Sequence, residues 1–392
     1  MYGMRYDPGE GMMSPGESGE DLLVRTIRSC TDRIYAVPGY PVSSLADRSG
    51  AKLVINEKVA LELAIGDSLA GRRACVIVKH VGMNALVDPL VHATFQGIRA
   101  GVIIICGDDP TAKNTMTVQD SRYFGLVASI PVLSGISESG VSDALCASEQ
   151  YSRVALLRVS AEEISQPANT SPSGLVCPEN NPATGLADPA LTMYGRAVRA
   201  AAGSTLIQKA GLAPHPLPPV QSSSAPQNRK ERGSTLGLCA DCPFRSMFEL
   251  MAKKGMSAVC DTGCSLIAMN PPYSFGVACY GMGSAVAVAA SSGNAALIGD
   301  YALLHSGLQG LMEVYQEGLP LLCIVMVNQC MGMTGGQPVP DPLPYLGFAH
   351  PQVCDVKDLK HLEELLTIPK RPMTVLVYGS CPEEIDHETV AC

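Results

Sequence analysis

Short runs of consecutive apolar residues recur along the chain, each closed by a turn signal or a helical pattern, and they constrain its class most. In residues 20–165 they read RIYAVPG, AKLVINE, ACVIVKH, GVIIICGDD and RVALLRV. Runs apolar at successive rather than alternate positions belong to strands buried on both faces. Such strands sit in parallel sheets covered by helices on both sides. Residues 238–392 repeat the pattern at SAVCDTG, AALIGDY, LLCIVMVNQ and MTVLVYGS. The expected architecture is α/β, with two domains of mainly parallel sheet. At 392 residues and 46% hydrophobic content, the chain holds enough apolar sequence for two cores.

Between the blocks, residues 166–237 are rich in Pro, Ser, Ala and Asn, as in SQPANTSPSG and HPLPPVQSSSAPQNRKERGS. This composition reads as a flexible or partly extended linker. Only DPALTMYGRAVRAAAGSTLIQKAG within it has a helical pattern. Residues 1–19 are polar and Gly/Pro-rich, and read as a disordered tail rather than a signal peptide or anchor. No segment is apolar over the ~20 residues a membrane span needs, and a net charge of −9 argues against nucleic acid as the main ligand. Fifteen cysteines without an export signal point to a reducing cytoplasm, where thiols serve as core residues or metal ligands more often than as disulfides. Cys75, Cys106, Cys279 and Cys323 fit small hydrophobes inside strands.

Several polar residues stand where this architecture gathers ligands. Lys79 and His80 follow ACVIV, at the carboxyl end of a predicted parallel strand. Together with His305 they are either groups that bind a carboxylate or move a proton, or satisfied polar residues at strand ends. Glu57 opens the predicted helix VALELAIGDSLAG, where an acid is ordinarily a capping-turn residue favoured by the helix dipole. Gly283 and Ser284 precede the small-residue helix AVAVAA, whose amides are candidates to face an anion. Gly299-Asp300 alone is a common turn pair.

With Asn328 beyond the next apolar run, however, Gly299-Asp300-Tyr301 resembles the diphosphate–metal signature of thiamine diphosphate enzymes. Further motifs narrow the resemblance. Val37-Pro38-Gly39-Tyr40-Pro41, Asn56-Glu57-Lys58-Val59-Ala60, Lys79-His80-Val81-Gly82-Met83-Asn84, Asp108-Asp109-Pro110 and Gln119-Asp120-Ser121-Arg122-Tyr123 are similar to the pyrimidine-binding half of the indolepyruvate ferredoxin oxidoreductase large (α) subunit. The second block resembles the same family at Cys239-Ala240-Asp241-Cys242-Pro243-Phe244-Arg245, Asp261-Thr262-Gly263-Cys264, His305-Ser306-Gly307 and Met333-Thr334-Gly335-Gly336-Gln337.

This resemblance implies thiamine diphosphate and Mg²⁺ as cofactors. Asp300, the Asn328 amide oxygen and the Cys330 backbone carbonyl would hold the metal, with Gly299, Gly283 and Ser284 beside the diphosphate. Glu57 would activate the cofactor at its aminopyrimidine ring, while Lys79, His80 and His305 would act on a 2-oxoacid. Cys239, Cys242, Cys264 and Cys381 match the thiolate pattern of a proximal [4Fe–4S] cluster in related oxidoreductases; tetrahedral zinc or no metal are the alternatives, and Cys260 and Cys354 are rivals for the fourth position. Partners implied are ferredoxin, coenzyme A, a smaller subunit and a second copy, because the family places its cofactor between one subunit's pyrimidine half and another's diphosphate half.

The chain also departs from the family. Its length and composition lead to the expectation of no extra domain between the two halves and no C-terminal ferredoxin-like module, and it carries Tyr301 where a small residue is usual. Three outcomes stay open: oxidative decarboxylation, a non-oxidative decarboxylase of the sulfopyruvate or phosphonopyruvate type, and a non-catalytic scaffold subunit.

Overall fold

The computed structural model describes residues 17–382 except 116, 169–192, 214–236, 240 and 333–335. The first half contains β1 (Arg33–Ala36), β2 (Lys52–Leu53), β3 (Ala74–Lys79), β4 (Val102–Asp108), β5 (Val132–Ser134) and β6 (Ala155–Ser160). They form a six-stranded sheet in the order β2-β1-β3-β4-β6-β5. The second half contains β7 (Ala258–Cys260), β8 (Gly276–Ala278), β9 (Ala295–Gly299), β10 (Leu322–Val327), β11 (Cys330–Met331), β12 (Gln337–Pro338), β13 (Gln352–Asp355) and β14 (Met373–Tyr378). Its six-stranded sheet runs β13-β14-β10-β9-β7-β8, and β11 with β12 makes a separate antiparallel pair.

Every pairing inside the two large sheets is parallel, and β4 and β10 are buried along their whole length. The α/β expectation therefore holds, and each strand named from an apolar run is present. Besides the short antiparallel pair β11 and β12, the pattern missed β5, β8 and β13, which all lie at the edges of the two large sheets. An edge strand is partly solvated and carries no continuous apolar run to find.

The helix α1 (Gly19–Cys30) starts inside the expected tail, with Ser18 and Asp21 forming a reciprocal cap; residues 1–16 lie outside the described residues. The two halves dock through α2 (Glu57–Leu69) and a later helix introduced here as α5 (Ala285–Ser292), with α3 (Val87–Gln96) and α4 (Met193–Lys209) between them in the chain. Small residues make that approach possible. A Cβ on Gly66 would stand 2.5 Å from the Val288 carbonyl oxygen and 2.6 Å from Ser291 Cβ. Arg72 bridges the halves, donating to Asp67 at 2.6 Å and to the Ser291 carbonyl at 2.5 Å. One apolar cluster runs continuously through both halves, from Val59 and Leu63 to Val286 and Leu311.

The linker expectation needs correction where α4 is concerned, for this helix is docked. Arg153 is 1% exposed and donates to the carbonyls of Tyr151, Ser129 and Ala200 and to Ser204 Oγ. Burial draws its guanidinium down to about 10. Gly203 is required there, because a Cβ would overlap Arg153 Nη2. Arg196 on α4 donates to Gln96 Oε1, which also accepts from the Cys279 amide, so the helix braces the seam between halves. Residues 169–192 and 214–236 of the expected linker lie outside the described residues.

Among the described residues no helix is long and apolar enough to cross a membrane. Twelve described cysteines are free thiols, as expected, but Cys146 is disulfide-bonded.

Candidate active site

Adjacent parallel strands bring the diphosphate–metal candidates together. β9 ends at Gly299 and β10 at Val327, and Gly299 lies opposite Met326, so Asp300 and Asn328 emerge side by side at the carboxyl edge. Asp300 is 2% exposed. Its Oδ1 accepts from the Tyr301 amide at 2.7 Å, and its Oδ2 from the amides of Asn328 and Gln329 at 3.1 and 2.7 Å. Burial pushes the carboxyl upward and the amides pull it back. Gln329 adopts φ 55°, a left-handed turn that directs both of its neighbours inward.

Asp300, Asn328 and Cys330 all line one cavity of about 340 Å³, with Gly299 and Tyr301 at its wall. These residues offer a carboxylate, an amide oxygen and a backbone carbonyl at one cavity, a donor set of the kind a hard divalent cation takes, so by type they fit Mg²⁺ bound with a diphosphate. Met282, Met326 and Met331 supply much of the apolar wall. Their role is not legible locally, because methionine in a strand or turn reads as core filling.

The cysteine expectation also finds a place. Cys239, Cys242, Cys264 and Cys381 line a second pocket of about 30 Å³, which shares Cys264, Asn328 and Gly332 with the larger cavity. Neither rival, Cys260 nor Cys354, lines it. Burial raises Cys242 to about 11 and raises Cys381 as well. Among the described residues, no group of three Cys, His, Asp or Glu side chains is already disposed to hold a metal ion. The pocket thus collects four soft donors of the right type, without their being drawn onto a common centre.

Gly283 and Ser284 do not present free amides to an anion. Asp261, at the end of β7, captures the start of α5 instead. It accepts from the Gly283 amide at 3.0 Å and the Ala285 amide at 3.1 Å, besides Thr262 at 2.9 Å. Ser284 is fully buried and turns its hydroxyl back to the Gly281 carbonyl. Neither residue lines the cavity. His305 also stands apart: it is exposed on a π-helical turn, Leu303–Gly307, with its ring 5.7 Å from that of Tyr301.

Glu57, Lys79 and His80 gather at the carboxyl edge of the first sheet, and none lines the cavity of the second half. Asn56 caps α2 by accepting from the Val59 amide at 2.8 Å, which leaves Glu57 half-buried at the first turn. Gly82 makes room for it, since a Cβ there would lie 2.5 Å from Glu57 Oε1. Lys79 runs its stem across Gly39 in the same way. His80 is fully buried; its Nε2 meets the Thr117 carbonyl at 3.1 Å, and Nδ1 has no partner among the described residues.

Beneath both edges lies a buried charge cluster that sequence reading did not single out. Glu62, one turn into α2, is fully buried against Lys58, and its Oε2 has no partner among the described residues. Burial drives its carboxyl well above the usual range, against the pull of Lys58, and drives Asp261 up to about 6. The folded state therefore holds protons on these groups more tightly than the unfolded chain does. Their contribution to stability is present at low pH and is lost as pH rises through about 6 and above. In thermal unfolding followed from about pH 5 to about pH 8, Glu62→Gln should gain on the wild type by on the order of 2 kcal/mol. A difference that stays constant across this range would contradict the assignment.

Comparison with known proteins agrees with this geometry. The family described as thiamine pyrophosphate enzyme, C-terminal TPP binding domain, matches residues 261–358. A putative thiamin diphosphate-dependent enzyme from Mycobacterium smegmatis shares the fold over 94% of this chain and 100% of its own, with TM-score 0.58 at 13% identity. The thiamine diphosphate-dependent 4-hydroxybenzoylformate decarboxylase of Rhodococcus jostii RHA1 does so over 93% and 99%, with TM-score 0.60 at 12% identity. Residues 261–358 thus match a thiamine pyrophosphate-binding domain, and the chain shares the fold of these thiamine diphosphate-dependent enzymes.

In sequence, part of the chain is similar to the indolepyruvate oxidoreductase subunit IorA proteins, the family its motifs resemble. The IorA of Archaeoglobus fulgidus is 35% identical over 158 residues, which is 36% of this chain and 25% of that protein. The IorA of Pyrococcus abyssi is 33% identical over 162 residues, or 37% and 25%. The match spans about a quarter of the length of these curated relatives.

Proposed function

We propose that the chain works in a thiamine-diphosphate- and Mg²⁺-dependent enzyme that oxidatively decarboxylates a 2-oxoacid, an aryl pyruvate of the indolepyruvate kind. The observation that carries the reading is the convergence of Asp300, Asn328 and Cys330 on one cavity, with Cys239, Cys242, Cys264 and Cys381 lining the pocket beside it. Thiamine diphosphate, when bound, supplies the electron sink that lets a 2-oxoacid lose CO₂.

The protein's own groups have separate tasks. Asp300, Asn328 and the Cys330 carbonyl would hold Mg²⁺, and the methionine wall would exclude water. Glu57 holds a proton at the aminopyrimidine ring, and it comes from a second copy of the chain, because the cavity is lined wholly by residues 262–332. Lys79, beside Glu57 at the sheet edge, carries the charge to hold the substrate carboxylate. Cys239, Cys242, Cys264 and Cys381 would hold a [4Fe–4S] cluster, which supplies one-electron redox chemistry, and ferredoxin, coenzyme A and a smaller subunit are the proposed partners.

The test is anaerobic purification, iron and sulfide analysis, and EPR of the dithionite-reduced protein. The expected result is about four irons per chain and a reduced-cluster signal lost in Cys239→Ala. Iron-free protein that binds thiamine diphosphate and releases an aldehyde would replace this reading with the non-oxidative decarboxylase. Protein that binds no thiamine diphosphate would leave the scaffold.

A further inference from the structure

We infer that Cys381 is a positioning residue for Asn328, setting which end of the Asn328 amide faces the cofactor cavity. The inference rests on the proposed reading of Asn328 as a donor to a divalent cation, and it holds whether or not the cysteine pocket carries a cluster.

The sheet places the two residues together. β10 and β14 are parallel neighbours with Val327 opposite Tyr378, and the Gly379 amide continues the pairing by donating to the Val327 carbonyl at 3.0 Å. Asn328 and Cys381 therefore leave the same edge side by side. Asn328 Nδ2 donates to Cys381 Sγ at 3.2 Å, while Oδ1 accepts from the Cys330 amide at 3.4 Å. The Asn328 backbone is fixed separately, by its amide on Asp300.

The two ends of a carboxamide are nearly equal in size, so packing alone does not choose between them; the choice falls to their hydrogen-bond partners. The sulfur of Cys381, accepting from Nδ2, turns the NH₂ end toward the cysteine pocket. The oxygen is left on the side of Asp300 and Cys330. A turned amide would point N–H bonds at a cation that accepts oxygen donors only. Asn328 lines both cavities and Cys381 only the smaller, so Cys381 acts through Asn328 without touching the cofactor.

The experiment is calorimetric titration of thiamine diphosphate into the full chain over a series of Mg²⁺ concentrations, under anaerobic reducing conditions. Cys381→Ala should raise the Mg²⁺ needed for half-saturation about five-fold, the loss of one ordinary hydrogen bond or ~1 kcal/mol. Cys381→Ser should restore most of it, because a hydroxyl accepts as the sulfur does. In an Asn328→Asp background, where both ends are oxygen, adding Cys381→Ala should change nothing. Equal Mg²⁺ dependence in wild type and Cys381→Ala would overturn the inference, as would an undiminished effect of Cys381→Ala in the Asn328→Asp background. A wild type that binds no thiamine diphosphate at any Mg²⁺ concentration would overturn the site reading and the inference with it.

Discussion

Replacing Glu57 by glutamine is expected to lower 2-oxoacid turnover about a thousandfold while leaving thiamine diphosphate bound, since a placed acid–base group contributes ~10²–10⁴ in rate. Glutamine keeps the length and the hydrogen-bonding end of the side chain. The cap by Asn56 and the space over Gly82 are also untouched, so α2 should start where it does now. Only the exchangeable proton is lost. Calorimetry should give a dissociation constant close to wild type, and steady-state kinetics should show the fall in kcat rather than in KM. Unchanged turnover would strip Glu57 of its catalytic role and leave it the ordinary acid of a helix first turn. Loss of binding as well would mean that Glu57 holds the cofactor rather than acting on it.

The sequence disclosed the parts of this molecule whose neighbours are close in the chain or whose environment is uniform. β4 and β10 are buried on both faces, so every residue had to be apolar and the strands stood out. Asp300 and Asn328 each sit one residue past such a strand, which made their positions readable too. Where tertiary contacts decide, the pattern fell short. Gly283 and Ser284 look like an open helix start, but Asp261, twenty or so residues earlier, reaches across to occupy those amides. That capture is a property of sheet order, with β7 beside β9, and nothing local announces it.

Arginine gave a similar lesson. Arginine is almost never fully buried, yet Arg153 is, and it anchors a helix inside a segment whose composition reads as linker. Lys58 and Glu62, one turn apart on α2, are likewise buried although both are charged. They are enclosed because α5 of the other half covers that face, and α5 is all small residues. His305 failed in the opposite sense: it is near Asp300 in sequence, but a π-turn carries its ring outward.

The arrangement of Glu57 and Asp300 on separate surfaces leads to the second large effect. Mixing Glu57→Gln chains with Asp300→Asn chains is expected to restore about a quarter of wild-type turnover, although each variant alone is nearly inactive. If each cavity takes its glutamate from a second copy, half of the randomly formed dimers contain both variants. In such a dimer one cavity receives both substitutions and the other receives neither, so one site in two is intact. Co-expression with two affinity tags would isolate the mixed dimer, whose turnover should then approach half that of wild type per dimer. If instead Glu57 reached the cavity of its own chain, every site in the mixture would carry one substitution and activity would stay at the level of the single variants. The two arrangements thus differ by more than a hundredfold in a single assay, and the cavity lining, drawn from residues 262–332 alone, favours the shared site.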